Sequence, residues 1–341
     1  MSSLDGKSLS FAKYYHERYN KNALEGERFL EQVCSVQVHH YGVDDNGNPL
    51  YTIDGNTQDG NTQDGKQSPV KFEFENIEKY EKSNLTKVLE NSGPLCNRWI
   101  DVDCINGDII ESLLKLVGCH SQTTFNNVVD PKQRVMGILL DDDSTKFLLV
   151  TKIATLTKEA VFAQENNVEG DVAFLFNPTS DGIPAKIISY ETTSYLLIVP
   201  KLSKNGTLIT IQHGNVPGDV FGDARESLKD HKHPIRSNGQ GITALFMTLV
   251  KDAVESALSV ERYMEVCVDQ LEEEFLKCSD SLELINHARR VDRECILLRR
   301  NLQPFTDTLL DLTSSPLAET WGLKTQLHNM ATVQKRISEN M

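Results

Sequence analysis

The sequence predicts an α+β protein in which a strand-rich domain precedes an antiparallel helical hairpin. Three observations predict it. Short apolar runs rich in β-branched and aromatic residues recur up to about residue 212. The composition changes at Ser237-Asn238-Gly239-Gln240-Gly241. Beyond that joint the apolar residues step by three or four, the period of a helix.

Residues 1–30 are polar and mixed, with Tyr14, Tyr15 and Tyr19 close together, and read as a loose segment. A strand is expected over Cys34 to Val43, then a turn at Asp44-Asp45-Asn46-Gly47-Asn48-Pro49. Asn-Thr-Gln-Asp-Gly occurs twice, at 56–60 and 61–65, so residues 44–68 read as a flexible loop. Val70, Phe72 and Phe74 alternate with charges as in a half-buried strand. In 98–104, Ile100, Val102 and Cys104 share one face, while Asp101 and Asp103 take the other. A helix is expected from about Gly107 to Val117, stopped by Gly118. Runs at 135–140, 146–156, 171–176, 185–190, 194–199 and 207–212 read as strands. A short helix at about 219–229 closes a domain of six to eight strands.

The first long helix carries an apolar stripe from Ile242 to Phe275, about 50 Å at 1.5 Å per residue. It breaks at Lys277-Cys278-Ser279-Asp280, where Asp280 suits a helix N-cap. In the next helix Ala288, Val291, Cys295, Leu298, Leu302, Phe305, Leu309 and Leu312 form a heptad seam. Pro304 lies inside it, so a kink near Arg300 is expected. The short connection makes the two helices antiparallel neighbours. A third pattern, Leu323 to Ile337, has no stop signal, which suggests a chain cut inside a longer helix. The organisation is thus 1–97, 98–238, 239–312 and 313–341.

The chemistry-bearing motifs are few. Among 341 residues, 35 Lys plus Arg stand against 49 Asp plus Glu, a net charge of −14. That argues against nucleic acid or an anionic membrane surface as the main partner and suits cations. No apolar run reaches the roughly 18 residues of a membrane span, and no secretory signal is visible. Seven scattered cysteines without a CxxC pair fit reduced, mostly buried thiols in a cytosolic setting. Gly239-Gln240-Gly241 reads as a domain joint rather than a phosphate loop. His231 and His233 lack a third metal ligand at suitable spacing, and Asp141-Asp142-Asp143 suits a hairpin turn. No nucleophile–base pair is evident, and no enzyme is expected. From Asp252 to Glu294, 12 acidic residues stand against five basic ones, which gives the hairpin a negative outer face.

Three segments together resemble the cytoplasmic domain of the CorA-type divalent-cation transporters. The first is Arg-Trp-Ile-Asp-Val-Asp at 98–103, with Leu113 to His120 and Val128 to Arg134 after it. The second is Gly218-Asp219-Val220-Phe221-Gly222-Asp223-Ala224-Arg225-Glu226-Ser227-Leu228. The third is Leu297-Leu298-Arg299-Arg300-Asn301-Leu302-Gln303-Pro304-Phe305. The resemblance covers about 98–340. It implies an α/β/α layered domain with a mixed sheet, the hairpin, and the start of a long stalk helix at 313–341. It also implies a magnesium sensor at the cytoplasmic face of a membrane, working as a homopentamer, with the membrane helices following the stalk. Residues 1–97 match loosely, and this chain lacks the family's gly-met-asn pore signature.

The family's regulatory metal site is expected to depart here. Asn127 occupies the position of its first aspartate, and Thr313-Ser314-Ser315 carry no carboxylate. Asp130, Asp311 and Glu319 are nearby acids able to substitute. One alternative is a zinc-handling relative of the ZntB branch, in which His39, His40, His120, His231 and His233 would matter. Another is a soluble scaffold with the same domain and no transport.

Overall fold

The computed structural model describes residues 35–43, 49–53, 56–58, 96–103, 111, 113–115, 137–140, 147–156, 190–199, 206–213, 220–230, 232–237, 241–277, 282–320 and 322–340. Strands β1 (Ser35–Val43), β2 (Pro49–Ile53), β3 (Asn56–Gln58), β4 (Cys96–Asp103), β5 (Gly137–Leu140), β6 (Phe147–Leu156), β7 (Tyr190–Val199) and β8 (Thr207–His213) form one sheet. Its order is β3-β2-β1-β4-β8-β7-β6-β5. β4 pairs with β8 in parallel, and its other neighbour, β1, is antiparallel. The sheet is therefore mixed. Helices α1 (Gly222–Lys229), α2 (Pro234–Ser237), α3 (Gly241–Lys277), α4 (Leu282–Ser314), α5 (Pro316–Thr320) and α6 (Lys324–Asn340) follow it, and the fold class is α+β.

Two expectations need correction. The loop at 44–68 contains strands β2 and β3, and the first three residues of the first pentapeptide copy pair with β2, from Tyr51↔Gln58 to Ile53↔Asn56. An edge strand needs backbone partners rather than apolar side chains, so a polar tract can supply it. The alternation at 98–104 suggests one solvated face, yet Asp101 is only 7% exposed. β4 is a central strand, covered on both sides. Cross-strand partners share a face. Val38, Ile100 and Ile209 align on one face, and all three are buried. His39, Trp99 and Leu208 align on the other and are buried as well. The second copy of the pentapeptide, the strands expected at 70–74 and 171–176, and Asp280 lie outside the described residues.

α3 starts where its backbone meets the sheet. The Tyr41 hydroxyl donates to the Gly241 carbonyl at 3.1 Å, and the Gly206 N–H donates to Asn97 Oδ1 at 3.2 Å. A Cβ on Gly241 would run into the Asn97 side-chain amide, and one on Gly206 would lie 2.7 Å from Ile242 Cγ1. Close approach, not ligand binding, accounts for the glycine of the joint. Gly241→Ala is expected to cost about 1–3 kcal/mol through overpacking, read as a lower urea midpoint at unchanged slope.

The stripe of α3 is buried from Ile242 to Leu271, and the α4 seam is buried at Val291, Leu298, Leu302, Phe305, Leu309 and Leu312. α4 runs through Pro304 to Ser314. The third helical pattern does not extend α4. Ser315 Oγ accepts the Ala318 N–H at 3.4 Å and so caps α5. Beyond the end of α5 the chain turns at Gly322, whose φ of 66° suits glycine best. There the Leu323 N–H donates to the Ala318 carbonyl at 2.9 Å and the Gly322 N–H to the Glu319 carbonyl at 3.1 Å, a Schellman closure. α6 then lies against both α3 and α4, with Leu327, Ala331 and Ile337 buried. Asn340 Nδ2 donates to Glu261 Oε1 at 2.5 Å, which fastens its far end to α3.

Candidate cation-binding site

The first two segments that carry the family resemblance meet in the fold. Asp101 on β4 forms an ion pair with Arg225 on α1. Its other oxygen accepts the Thr210 hydroxyl at 2.6 Å, and Thr210 Oγ1 accepts the Trp99 indole N–H at 2.9 Å. The Arg225 guanidinium lies 5.6 Å from the Trp99 ring centre, and Phe221 meets that ring edge-on at 6.4 Å. This arrangement fixes α1 on the sheet, since a buried charge needs both a counter-ion and hydrogen bonds.

His39 stacks on Trp99 at 4.9 Å, and its Nδ1 shares a hydrogen bond of 3.0 Å with the Tyr51 hydroxyl. Its Nε2 is buried with no hydrogen-bond partner among the described residues. Burial lowers its pKa to about 4, with Arg225, His40 and Lys229 adding to the fall and Asp101 opposing it. His39 is therefore neutral at pH 7. His40 is its neighbour on the strand and projects to the other face. No group of three metal-ligating side chains among the described residues includes a histidine. His120 and His231 lie outside the described residues.

α1 also touches α3 through a carboxylate. Phe221 provides no side-chain cap for α1, and Asp252 on α3 supplies one instead, its Oδ2 accepting the Ala224 N–H at 3.1 Å. Asp252 is 5% exposed, and its Oδ1 has no hydrogen-bond partner among the described residues. One oxygen each from Asp223, Asp252 and Glu255 lies within 4.8 Å of the others. Burial raises the Asp252 pKa to about 7; the Ala224 hydrogen bond and Lys251 oppose the rise, while Asp223 and Glu255 add to it. Glu255 also accepts an exposed ion pair from Lys251 at 3.3 Å.

The hairpin's negative face needs one revision. Glu255, Glu265, Asp269, Glu272, Glu273 and Asp292 are exposed, whereas Asp252 and Glu261 are buried. Both buried acids sit on the apolar stripe, three residues after Leu249 and four after Ala257. A carboxylate on a core stripe is the signal by which the sequence marked them. Of the acids expected to replace the family's metal site, Asp311 is exposed on α4. Glu319 is exposed on α5 and pairs with Lys324 at 3.1 Å. Neither belongs to a three-carboxylate group among the described residues. Asn127 and Asp130 lie outside those residues. The Thr313, Ser314 and Ser315 hydroxyls donate to carbonyls of α4. Burial pushes the Cys267 thiol up to about 12 and raises that of Cys295, so neither is a ready thiolate at neutral pH.

No family model matches the sequence, and no curated protein matches it. Solved structures do match the fold. The full-length CmaX protein covers 93% of this chain and 73% of its own, at 12% identity and a TM-score of 0.51. This chain has the CmaX fold. The ZntB cytoplasmic domain from Vibrio parahaemolyticus is similar over 72% of this chain and 80% of its own, at 17% identity and a TM-score of 0.45. The CorA soluble domain from Methanocaldococcus jannaschii is similar over 71% and 85%, at 17% identity and a TM-score of 0.44. Within the CmaX-like fold described here, the long helices α3, α4 and α6 pack together as a bundle, and α3 also contacts the sheet. No helix among the described residues is long and apolar enough to cross a membrane.

Proposed function

We propose that the chain is the cytoplasmic regulatory domain of a CorA-like divalent-cation transporter, with magnesium as the sensed ion. It is a binding protein rather than an enzyme. It works as a homopentamer at the inner face of a membrane, which it reaches through helices that follow this chain. The observation that carries the reading is the meeting of Asp101 with Arg225. Two segments 124 residues apart, each resembling the family, form one buried unit. The exposed carboxylates of α3 and α4 supply the mechanism. Where subunits adjoin, such rows repel, and divalent ions between them favour the closed arrangement by binding it better. Asp130, Asp311 and Glu319, with the amide oxygen of Asn127, remain the proposed ligands at the subunit boundary.

Millimolar magnesium is expected to raise the melting temperature by about 2–5 °C or to shift the assembly state. Calorimetry and light scattering with magnesium, calcium and zinc check this. A protein indifferent to all three would lose its role as a sensor. A stronger response to zinc would move the assignment to zinc transport.

A further inference from the structure

We propose that Asp223, Asp252 and Glu255 hold one hard divalent cation within a single chain, tying α1 to α3. The site stands apart from the transport reading, because a scaffold that moves no ions would bind the same cation here.

Two independent observations point to it. The first is distance. An ion held by oxygens at about 2.3–2.6 Å accommodates ligand oxygens up to about 5 Å apart. One oxygen from each of the three carboxylates lies within 4.8 Å of the other two. The second is the unpaired oxygen of Asp252. This side chain is 5% exposed, and its Oδ1 is buried without a hydrogen-bond partner among the described residues. A buried carboxylate oxygen without a donor is costly. Its other oxygen is already used by the Ala224 N–H. That bond fixes the carboxylate's orientation and leaves Oδ1 for a ligand.

The neighbours fit the same reading. Asp252 and Glu255 are three residues apart on α3 and share a face. Asp223 comes from the first turn of α1. The cationic side chain paired with Glu255 is Lys251, half exposed, and such a pair yields readily to a divalent ion. Oxygen ligands alone, with no sulfur or imidazole, select a hard ion of the magnesium, manganese or calcium kind. Asp223 and Glu255 are exposed, so the ion has an open path from solvent.

Mn2+ serves as the probe, with free ion counted by electron paramagnetic resonance in chelator-treated protein. One tight Mn2+ per chain is expected. Asp223→Asn and Glu255→Gln, both surface changes, should weaken it at least about tenfold. Asp252→Asn should weaken it as much while keeping an acceptor for Ala224. Glu339→Gln, an exposed acid on α6, should leave it unchanged. Magnesium and calcium should each displace the Mn2+ competitively. Circular dichroism melts in chelator verify that the variants fold. The proposal is overturned if no saturable tight class appears, or if that class is equal in wild type, Asp223→Asn and Glu255→Gln. A lost Mn2+ class with an intact magnesium response of the whole domain would separate this site from the sensing surfaces.

Discussion

Asp101→Ala is expected to lower the unfolding free energy by about 3 kcal/mol. Removing one member of a buried ion pair leaves the other charge desolvated, an effect of about 3–5 kcal/mol. The Arg225 side chain keeps 22% of its exposure, which places the expectation at the lower end. The loss reaches further than the pair, because Thr210 bridges Asp101 to the Trp99 indole. Asp101→Asn retains an acceptor for Thr210 and should fall between wild type and alanine. Urea unfolding followed by circular dichroism reads all three. A change under about 0.5 kcal/mol in the alanine variant would show that the pair does not secure α1 to the sheet.

Lowering the pH from about 6.5 to 4 is expected to destabilise the protein through His39. Its folded pKa is about 4, against 6.5 for the free side chain. Across that window the unfolded chain takes up a proton that the folded chain refuses, so stability falls as pH falls. Below about 4 both states are protonated and this contribution stops growing. The difference corresponds to about 3 kcal/mol at most. In His39→Gln the same acid titration should be shallower by that amount, although Tyr51 keeps a hydrogen-bonding partner. Melting temperatures at pH 7, 5.5 and 4.5 measure it. Equal pH slopes in wild type and variant would mean that His39 is not held neutral by burial.

Much of the fold was legible because hydrophobic periodicity reports secondary structure directly. The α3 stripe and the α4 seam are buried nearly residue for residue as the spacing requires. Strand identity was legible in 147–156 and 207–213 for the same reason. Strand position was not. Whether β4 is central or at an edge depends on distant pairing, so Asp101 reads as a surface charge until β8 and α1 close over it. β3 was hidden by polarity, since backbone pairing leaves no apolar trace, whereas β2 carries Leu50, Tyr51 and Ile53 and was hidden only by the turn and repeat sequences on either side of it. The return of α6 along the bundle turns on Gly322, one stop signal within an otherwise continuous amphipathic pattern. The carboxylate cluster joins residues 223 and 252 through tertiary contact alone. Its sequence trace is a single acid, Asp252, on an apolar stripe.

α3 runs from Gly241 to Lys277 as one element. From Asp252 to its far end is about 25 residues, roughly 37 Å of rise. A rotation of α3 about the α1 contact would therefore act over a long arm. A tilt of about 5° at that pivot would carry the opposite tip about 3 Å, by the rise of a rigid helix. Because α4 and α6 pack against α3, such a tilt would have to carry them with it.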